Sequence, residues 1–433
     1  MAFNKSIAEE LRERLPSHID VNTFHSKCLR VLLSNFRIKP KINENKCFVI
    51  GKKILDTKDM DVKQQIRYLF EIQIIWNYIR VNLITDYEKE IPGICIEKNI
   101  EFQERMVGDM EQIRNAWHKE MKKINSVKEI NIDFTDMLYF PYQLLDSEDF
   151  PKYDIVTLDE QQDANTLQKE LALRYIKKSG RFVVVGDSRQ CIYGFQGSSL
   201  EVFKSLQSYP NTIVLPLDIT YRCGKNIVEE ARKVFNNGIV AAPNAIDGIV
   251  RKGEFDEAEN GDFILCRNNL PLATVFLYLL EMGKKATIKG KEYGDALVAL
   301  VDKIKYIEDL DAMCEKKISE LKERGLTDIQ AKNNPSYVAF LEKCTILKIL
   351  YKNWGDMKKL EDNIKEIYKD DTEGIVLSTI HKSKGLEADR VFLLNKSLIP
   401  SKYANTEEAL YNEKCLLFVA ITRARKELVY CNV

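Results

Sequence analysis

The string DIVTLDEQQD, Asp154 to Asp163, runs a short apolar stretch, Ile155 to Leu158, into two adjacent carboxylates, Asp159 and Glu160. A strand that breaks off in acids delivers them to the carboxyl edge of a sheet, where α/β proteins bind ligands. The same texture recurs along the chain. RFVVVGD (Arg181 to Asp187), TIVLPL (Thr212 to Leu217), FILCR (Phe263 to Arg267), GIVLSTI (Gly374 to Ile380), RVFLLN (Arg390 to Asn395) and ELVYC (Glu427 to Cys431) are all strand-length apolar runs. Runs that are apolar throughout suit strands buried on both faces, which means parallel sheets covered by helices. The expected fold class is therefore α/β, with Asp159 and Asp187 at the carboxyl ends of neighbouring strands. Two stretches break the pattern, about 40–130 and about 300–370. In DKIKYIEDLDAMCEKKISELKERG, Asp302 to Gly325, apolar residues recur three and four apart among charges, as in an amphipathic helix. Both stretches read as helical insertions.

Composition excludes several classes. Hydrophobic residues make up 45% and charged residues 30% of 433 residues, and no apolar run reaches the length of a membrane span. The first residues, MAFNKSIAEELRER, lack the apolar core of a signal peptide. A soluble, cytoplasmic protein is expected. Ten cysteines are scattered without a C-x-x-C pair, so they read as reduced core thiols rather than a disulfide or metal framework. Lys+Arg and Asp+Glu are both 65, so no large basic face is implied, although a locally positive groove remains compatible with neutrality.

Paired carboxylates at a strand end suit phosphoryl transfer: one holds hydrated Mg²⁺, the other orients or deprotonates the attacking water. In VVVGDSRQCIYGFQG, Val183 to Gly197, Gln190 is placed to touch a terminal phosphate, while Tyr193 and Phe195 offer faces for unstacked bases. TYRCGKN, Thr220 to Asn226, holds Tyr221 and Arg222, a stacking face beside a charge-assisted phosphate contact. STIHKSKGLEADRVFLL, Ser378 to Leu394, sets Thr379, His381, Lys382 and Lys384 in a turn between two strands, with Glu387 beyond. LLFVAITRARKELVY, Leu416 to Tyr430, carries Arg423 and Arg425 at the end of an apolar helix, where an arginine can act as a finger on a γ-phosphate. Each string alone is read more readily as a solvated turn or as core packing.

Together and in this order they carry more. TLDEQQD, GDSRQCIYGFQG, TYRCGKN, STIHKSKGLEADRVFLL and VAITRARKEL resemble motifs II to VI of the UvrD/Rep-type superfamily 1 DNA helicases. AFNKSIAEELRERL (Ala2 to Leu15) is similar to motif Ia, TFHSKCLRVL (Thr23 to Leu32) to the next block, and IDFTDML (Ile132 to Leu138) to the segment before motif II. The resemblance implies two RecA-like parallel-sheet domains of the P-loop NTPase type. The first would span 1–215 with its insertion at about 40–130, and the second 216–433 with a reduced insertion at about 300–370. It further implies ATP and Mg²⁺ as cofactors and single-stranded DNA, or duplex with a single-stranded tail, as partner. By matched position, Asp159 and Glu160 are the Mg²⁺ and water-activating carboxylates, and Gln190 the γ-phosphate sensor. Arg222 and Arg423 reach the γ-phosphate, Tyr221 stacks on adenine and Glu387 bonds the ribose. Phe3, Asn4, Thr23, His25, Tyr193, Phe195, His381 and Lys384 line the DNA track.

Two departures from the family pattern stand out. Gln196 follows Phe195 where the family usually has arginine, and no G-x-x-x-x-G-K-[ST] string occurs in the 433 residues. Without that loop the phosphates lack their N–H cradle and lysine, and the first domain lacks the loop's strand. The expectation is an ATP-dependent 3′ to 5′ DNA helicase or translocase of repair or replication. The chain would be its downstream portion, from a truncated or split enzyme, partnered by a separate Walker A fragment or a loading protein. The alternative is a hydrolysis-deficient single-stranded-DNA-binding or regulatory subunit.

Overall fold

The computed structural model describes residues 5–98, 100–192, 200–236, 238–323, 326–369 and 373–433. Phe3, Asn4, Tyr193, Phe195 and Gln196 therefore lie outside the described residues. The chain divides into two compact units, Met1–Ile213 and Val214–Val433.

The first unit opens with helices α1 (Lys5–Arg14) and α2 (Phe24–Phe36), the latter capped by the Thr23 hydroxyl, which accepts from the Ser26 N–H at 3.3 Å. A short strand β1 (Lys39–Ile42) leads into four helices, α3 (Lys46–Ile54), α4 (Val62–Asn82), α5 (Tyr87–Glu97) and α6 (Arg105–Lys122). Strand β2 (Glu129–Ile132) then pairs parallel to β1, so the helical insertion is closed off at its base by two strands. Helix α7 (Asp136–Leu144), strand β3 (Tyr153–Leu158), helix α8 (Thr166–Arg174), strand β4 (Ile176–Val184) and helix α9 (Leu200–Gln207) complete it. Among the described residues strand β3 pairs with β4 alone, in parallel, Thr157 beside Val183 and Leu158 beside Val184. One core runs through the unit, from Phe24 and Leu32 through Ile72, Trp76 and Trp117 to Val156 and Leu158, so the insertion and the strands share their packing.

The second unit holds the larger sheet. Its elements are β5 (Ile219–Thr220), α10 (Lys225–Arg232), β6 (Val240–Ala241), β7 (Ile249–Lys252), β8 (Phe263–Cys266), α11 (Asn269–Glu281), β9 (Ala286–Lys289) and α12 (Lys291–Val301). Helices α13 (Asp309–Glu323), α14 (Asp328–Lys332), α15 (Pro335–Trp354) and α16 (Met357–Ile367) form the second insertion, followed by β10 (Tyr368–Lys369), β11 (Ile375–Thr379), β12 (Ala388–Leu394), α17 (Glu407–Ile421) and β13 (Ala424–Cys431). Seven strands pair in the order β10-β9-β11-β8-β12-β13-β7, all parallel. All residues of β8 and β11 are buried, which is what their unbroken apolar runs require when helices cover both faces. The α/β class and both helical insertions match the sequence reading.

One expected strand is absent. Thr212 to Leu217 is irregular and open to solvent, with Ile213 81%, Leu215 77% and Leu217 82% exposed. An apolar run becomes a strand only where a neighbour completes its ladder, and no described strand pairs with this one. All ten cysteines are buried thiols. No helix among the described residues is long and apolar enough to cross a membrane.

Candidate functional site

Asp159 and Glu160 directly follow β3, and Asp187 stands three residues after β4, so the acids reach the same carboxyl edge. Asp159 Oδ1 accepts from the Glu160 N–H at 3.0 Å. Glu160 sits in the left-handed region, φ 52° and ψ 41°. Such a conformation in a residue with a Cβ costs on the order of 1 kcal/mol and clusters where side chains are aimed for function. Gln162, fully buried, ties the two loops together: its carboxamide donates to Glu160 Oε2, and its Oε1 accepts from the Asp187 N–H at 3.0 Å. A Cβ on Gly186 would lie 2.7 Å from Gln162 Oε1, so only glycine lets the β4 loop approach this closely. Asp187 in turn takes Arg189 Nε at 2.8 Å and Gln190 Nε2 at 3.1 Å. The expected sensor Gln190 is thus linked to the expected water-activating Glu160 through Asp187 and Gln162. The sequence pointed to the ends of this chain but not to Gln162, whose place in DEQQD says nothing of its direction.

Thr23 and His25 lie at the start of α2, and the His25 ring meets Phe134 edge-on at 6.5 Å. Phe134 is 52% exposed, with its N–H held by Glu44 Oε1 at 2.8 Å. Sequence reasoning missed it because it falls in the turn after β2, outside any periodic pattern. An exposed aromatic ring beside a histidine is a surface on which a base can stack.

In the second unit Arg222 pairs with Glu387, which also lies 3.6 Å from Arg425. Arg425 and Lys426 both reach Asp389, at 2.6 and 2.7 Å. These groups are substantially exposed, and such ion pairs contribute about 0–1 kcal/mol each, so an incoming anion exchanges them at little cost. Tyr221, beside Arg222, is 81% exposed. Arg423 differs: it is buried, donating from Nε to the Val419 carbonyl at 3.1 Å and from Nη1 to the Leu386 carbonyl at 3.0 Å. His381 and Lys384 occupy the turn between β11 and β12. Burial, reinforced by the Arg267 charge, pushes the His381 pKa down to about 4.

Residues 1–210 match the UvrD/REP helicase N-terminal domain and residues 276–432 the UvrD-like helicase C-terminal domain. The chain belongs to the UvrD/Rep helicase family. Among curated relatives of this family, it is 27% identical over 330 residues to F-box DNA helicase protein 1 of Schizosaccharomyces pombe, covering 69% of this chain and 37% of that protein. It is 21% identical over 580 residues to the ATP-dependent DNA helicase Rep of Buchnera aphidicola, covering 100% of this chain and 87% of Rep. Against the ATP-dependent DNA helicase PcrA of Bacillus subtilis the figures are 27% over 260 residues, 55% and 33%. The chain thus spans well under half the length of the first and third of these UvrD/Rep relatives.

Proposed function

We propose that this chain is the downstream portion of an ATP-dependent 3′ to 5′ DNA helicase or translocase that moves on single-stranded DNA. The observation that carries this is the linkage Glu160–Gln162–Asp187–Gln190 at the carboxyl edge of β3 and β4. A carboxylate held in a strained backbone and wired to a carboxamide two loops away is costly to maintain, and hydrolysis coupled to phosphate sensing gives it a use. The donor set fits Mg²⁺ and a triphosphate in part: Asp159 would hold the ion, and Glu160 would take the proton of the attacking water. Mg²⁺, when bound, neutralises phosphate charge. Arg222 leaves Glu387 for the γ-phosphate, which frees Glu387 for the ribose hydroxyls, while Tyr221 lies against the adenine. Arg423 adds its charge only by releasing the Val419 and Leu386 carbonyls that hold it in this structure. The phosphate loop comes from a segment outside the 433 residues.

On this reading DNA binding is single-strand selective, sequence-tolerant and weakened by salt. Thr23, His25 and Phe134 form one part of the track, and His381 and Lys384 another. Phe134→Ala is expected to weaken binding to single-stranded DNA by about 1–3 kcal/mol, the worth of one base stack, measured by fluorescence anisotropy. Equal affinity for blunt duplex and single strands overturns the track.

The depressed pKa of His381 sets a second expectation. The ring is neutral above about pH 5, so lowering the pH from 8 to 6 adds no charge there, and the His381→Gln variant should show the same pH profile of DNA affinity as the wild type. For folding the sign is fixed by linkage. Between the ordinary histidine value near 6.5 and the folded value of about 4 the unfolded chain binds the extra proton, so stability falls as pH drops through that window. Urea titrations at pH 7 and 5 test this: His381→Gln should lose less stability than the wild type.

A further inference from the structure

We propose that the outer face of the α3–α4 hairpin is a docking site for an amphipathic helix of another protein, one that carries Asp or Glu along one flank. This face uses none of the groups assigned above to nucleotide or DNA.

Val62, Ile66, Phe70 and Ile74 recur four apart on α4 and are 71%, 43%, 48% and 46% exposed. On a helix that spacing puts them in one row, roughly 18 Å from end to end. Single exposed apolar side chains are ordinary; a continuous row of them marks a surface that something covers. The row is not needed for folding, because Tyr68, Leu69, Ile72, Ile75 and Trp76 already bury the opposite face of α4 in the core of the unit. Helix α3 widens the surface. Its Phe48 ring meets Phe70 at 5.0 Å, and a Cβ on Gly51 would lie 2.8 Å from Leu69 Cδ2, so the two helices pack closely and run antiparallel. Lys52, one turn beyond Phe48, therefore stands beside Ile66, one turn before Phe70. Val49, 40% exposed, adds a fifth apolar side chain on the α3 side.

The charges beside the row select the occupant. Lys52 and Lys53 are exposed and have no ion-pair partner among the described residues. The other charged groups of the hairpin are engaged. Arg67 is held by Glu71 at 2.6 Å and Asp59 by Arg105 at 3.2 Å. Asp61 Oδ1 caps α4 by accepting from the Gln64 N–H at 2.9 Å, and Asp56 Oδ1 accepts from the Lys58 N–H at 3.3 Å. An apolar row with two free cations on one flank is complementary to a helix that has an apolar stripe and acids on the matching flank. Nucleic acid fits the row poorly, because Val62, Ile66 and Ile74 offer neither a flat face for a base nor a hydrogen bond for its edge. Antiparallel pairing of the row with a second copy, about a two-fold axis, lays α3 against α3 and brings Lys52 and Lys53 toward their own counterparts, a like-charge juxtaposition that disfavours it.

The test is a selection followed by direct binding. A displayed library of helical peptides about five turns long, with leucine fixed at three- and four-residue spacing and the flanking positions randomised, is panned against the 433-residue protein. Enrichment of Glu and Asp on one flank is expected, and an enriched peptide, followed by fluorescence anisotropy, should bind more weakly as salt is raised. Ile66→Ser with Ile74→Ser should weaken that peptide by about tenfold or more. Both side chains lie at the surface, so the thermal unfolding midpoint of this variant should not fall. Lys52→Glu with Lys53→Glu should weaken the peptide by about tenfold, and a peptide with its acids exchanged for Lys should recover binding to this variant and not to the wild type. No enrichment over the serine variant, or enrichment of flanks without acids, overturns the proposal. So does a loss, on the same serine substitutions, of affinity for single-stranded DNA or for phosphatidylserine vesicles, or of a concentration-dependent dimer, since each puts a different occupant on the row.

Discussion

The 433-residue chain alone is expected to show no DNA-stimulated ATP hydrolysis above background, and supplying a strand with a phosphate loop should raise turnover by a thousandfold or more. The magnitude follows from what each part contributes. Phosphoryl transfer is catalysed almost wholly by positioning and charge, and a single arginine finger is typically worth about 10³–10⁵ in rate. In this chain the expected nucleotide residues of the first unit, Asp159, Glu160 and Gln190, are all acidic or neutral, and the nearby Arg189 is already held by Asp187 at 2.8 Å. A triphosphate has little to grip on that side. Once a loop lysine and its N–H groups are present, the carboxylates become decisive. Glu160→Gln should then lower the restored rate by about 10²–10⁴, the usual range for a general base, without weakening nucleotide binding in proportion. Gln162→Ala should act in the same direction but less, because Glu160 and the Asp187 loop lose their link while both remain. Robust turnover by the chain alone, lost in Arg423→Ala, would show that other residues replace the loop and would overturn the reading.

The acids of this site were legible because a strand that ends in adjacent carboxylates leaves few other places for them. The link between them was not. Gln162 reaches Asp187 across 25 positions, and a carboxamide gives no sign in sequence of which loop it faces. Arg222 and Glu387 were each legible by motif, but their pairing, which makes the arginine a held rather than a free charge, emerges only when β5 and the β11–β12 turn are folded together.

The fold shows the same division. Strands β8, β11, β12 and β13 read directly because they are buried on both faces and therefore apolar throughout. Strand β1, KPKI, does not read as a strand, since proline and two lysines mask it, and it forms because β2 pairs with it from beyond the insertion. Strand β9, ATIK, looks like part of a lysine-rich turn until its neighbours β10 and β11 supply the ladder. Thr212 to Leu217 errs the other way: apolar enough for a strand, but unpaired. In each case the deciding partner lies far along the chain, and local pattern cannot supply it.

A buried charge cluster also joins distant parts of the first unit, and breaking it should give the largest loss of stability from a single substitution. Arg80 on α4 donates from Nη1 and Nη2 to Asp133 at 2.9 and 2.6 Å, and from Nη1 to Asp136 at 2.8 Å. Asp136 also takes Lys46 Nζ from α3 and Trp117 Nε1 from α6, the latter at 2.8 Å. Arg80, Lys46, Asp133 and Asp136 are all buried, two cations against two anions, with the Arg80 guanidinium 4.4 Å from the Trp117 ring. Burial, together with the Asp133 carboxylate, pushes the Asp136 pKa up, and Lys46 and Arg80 oppose that rise. The cluster joins three helices of the insertion to the turn that carries Phe134. Removing one member strands the others without solvent, so Asp136→Ala or Arg80→Ala should cost about 3–5 kcal/mol. The double variant should cost much less than the sum, because the second deletion removes a charge already left unpaired. Trp76 and Trp117 meet edge-on in this unit with ring centroids 5.7 Å apart, so near-ultraviolet circular dichroism during urea unfolding reports the transition. Strict additivity of the two single losses, or losses below about 1 kcal/mol, would mean that water reaches the cluster and that the insertion is held by apolar packing alone.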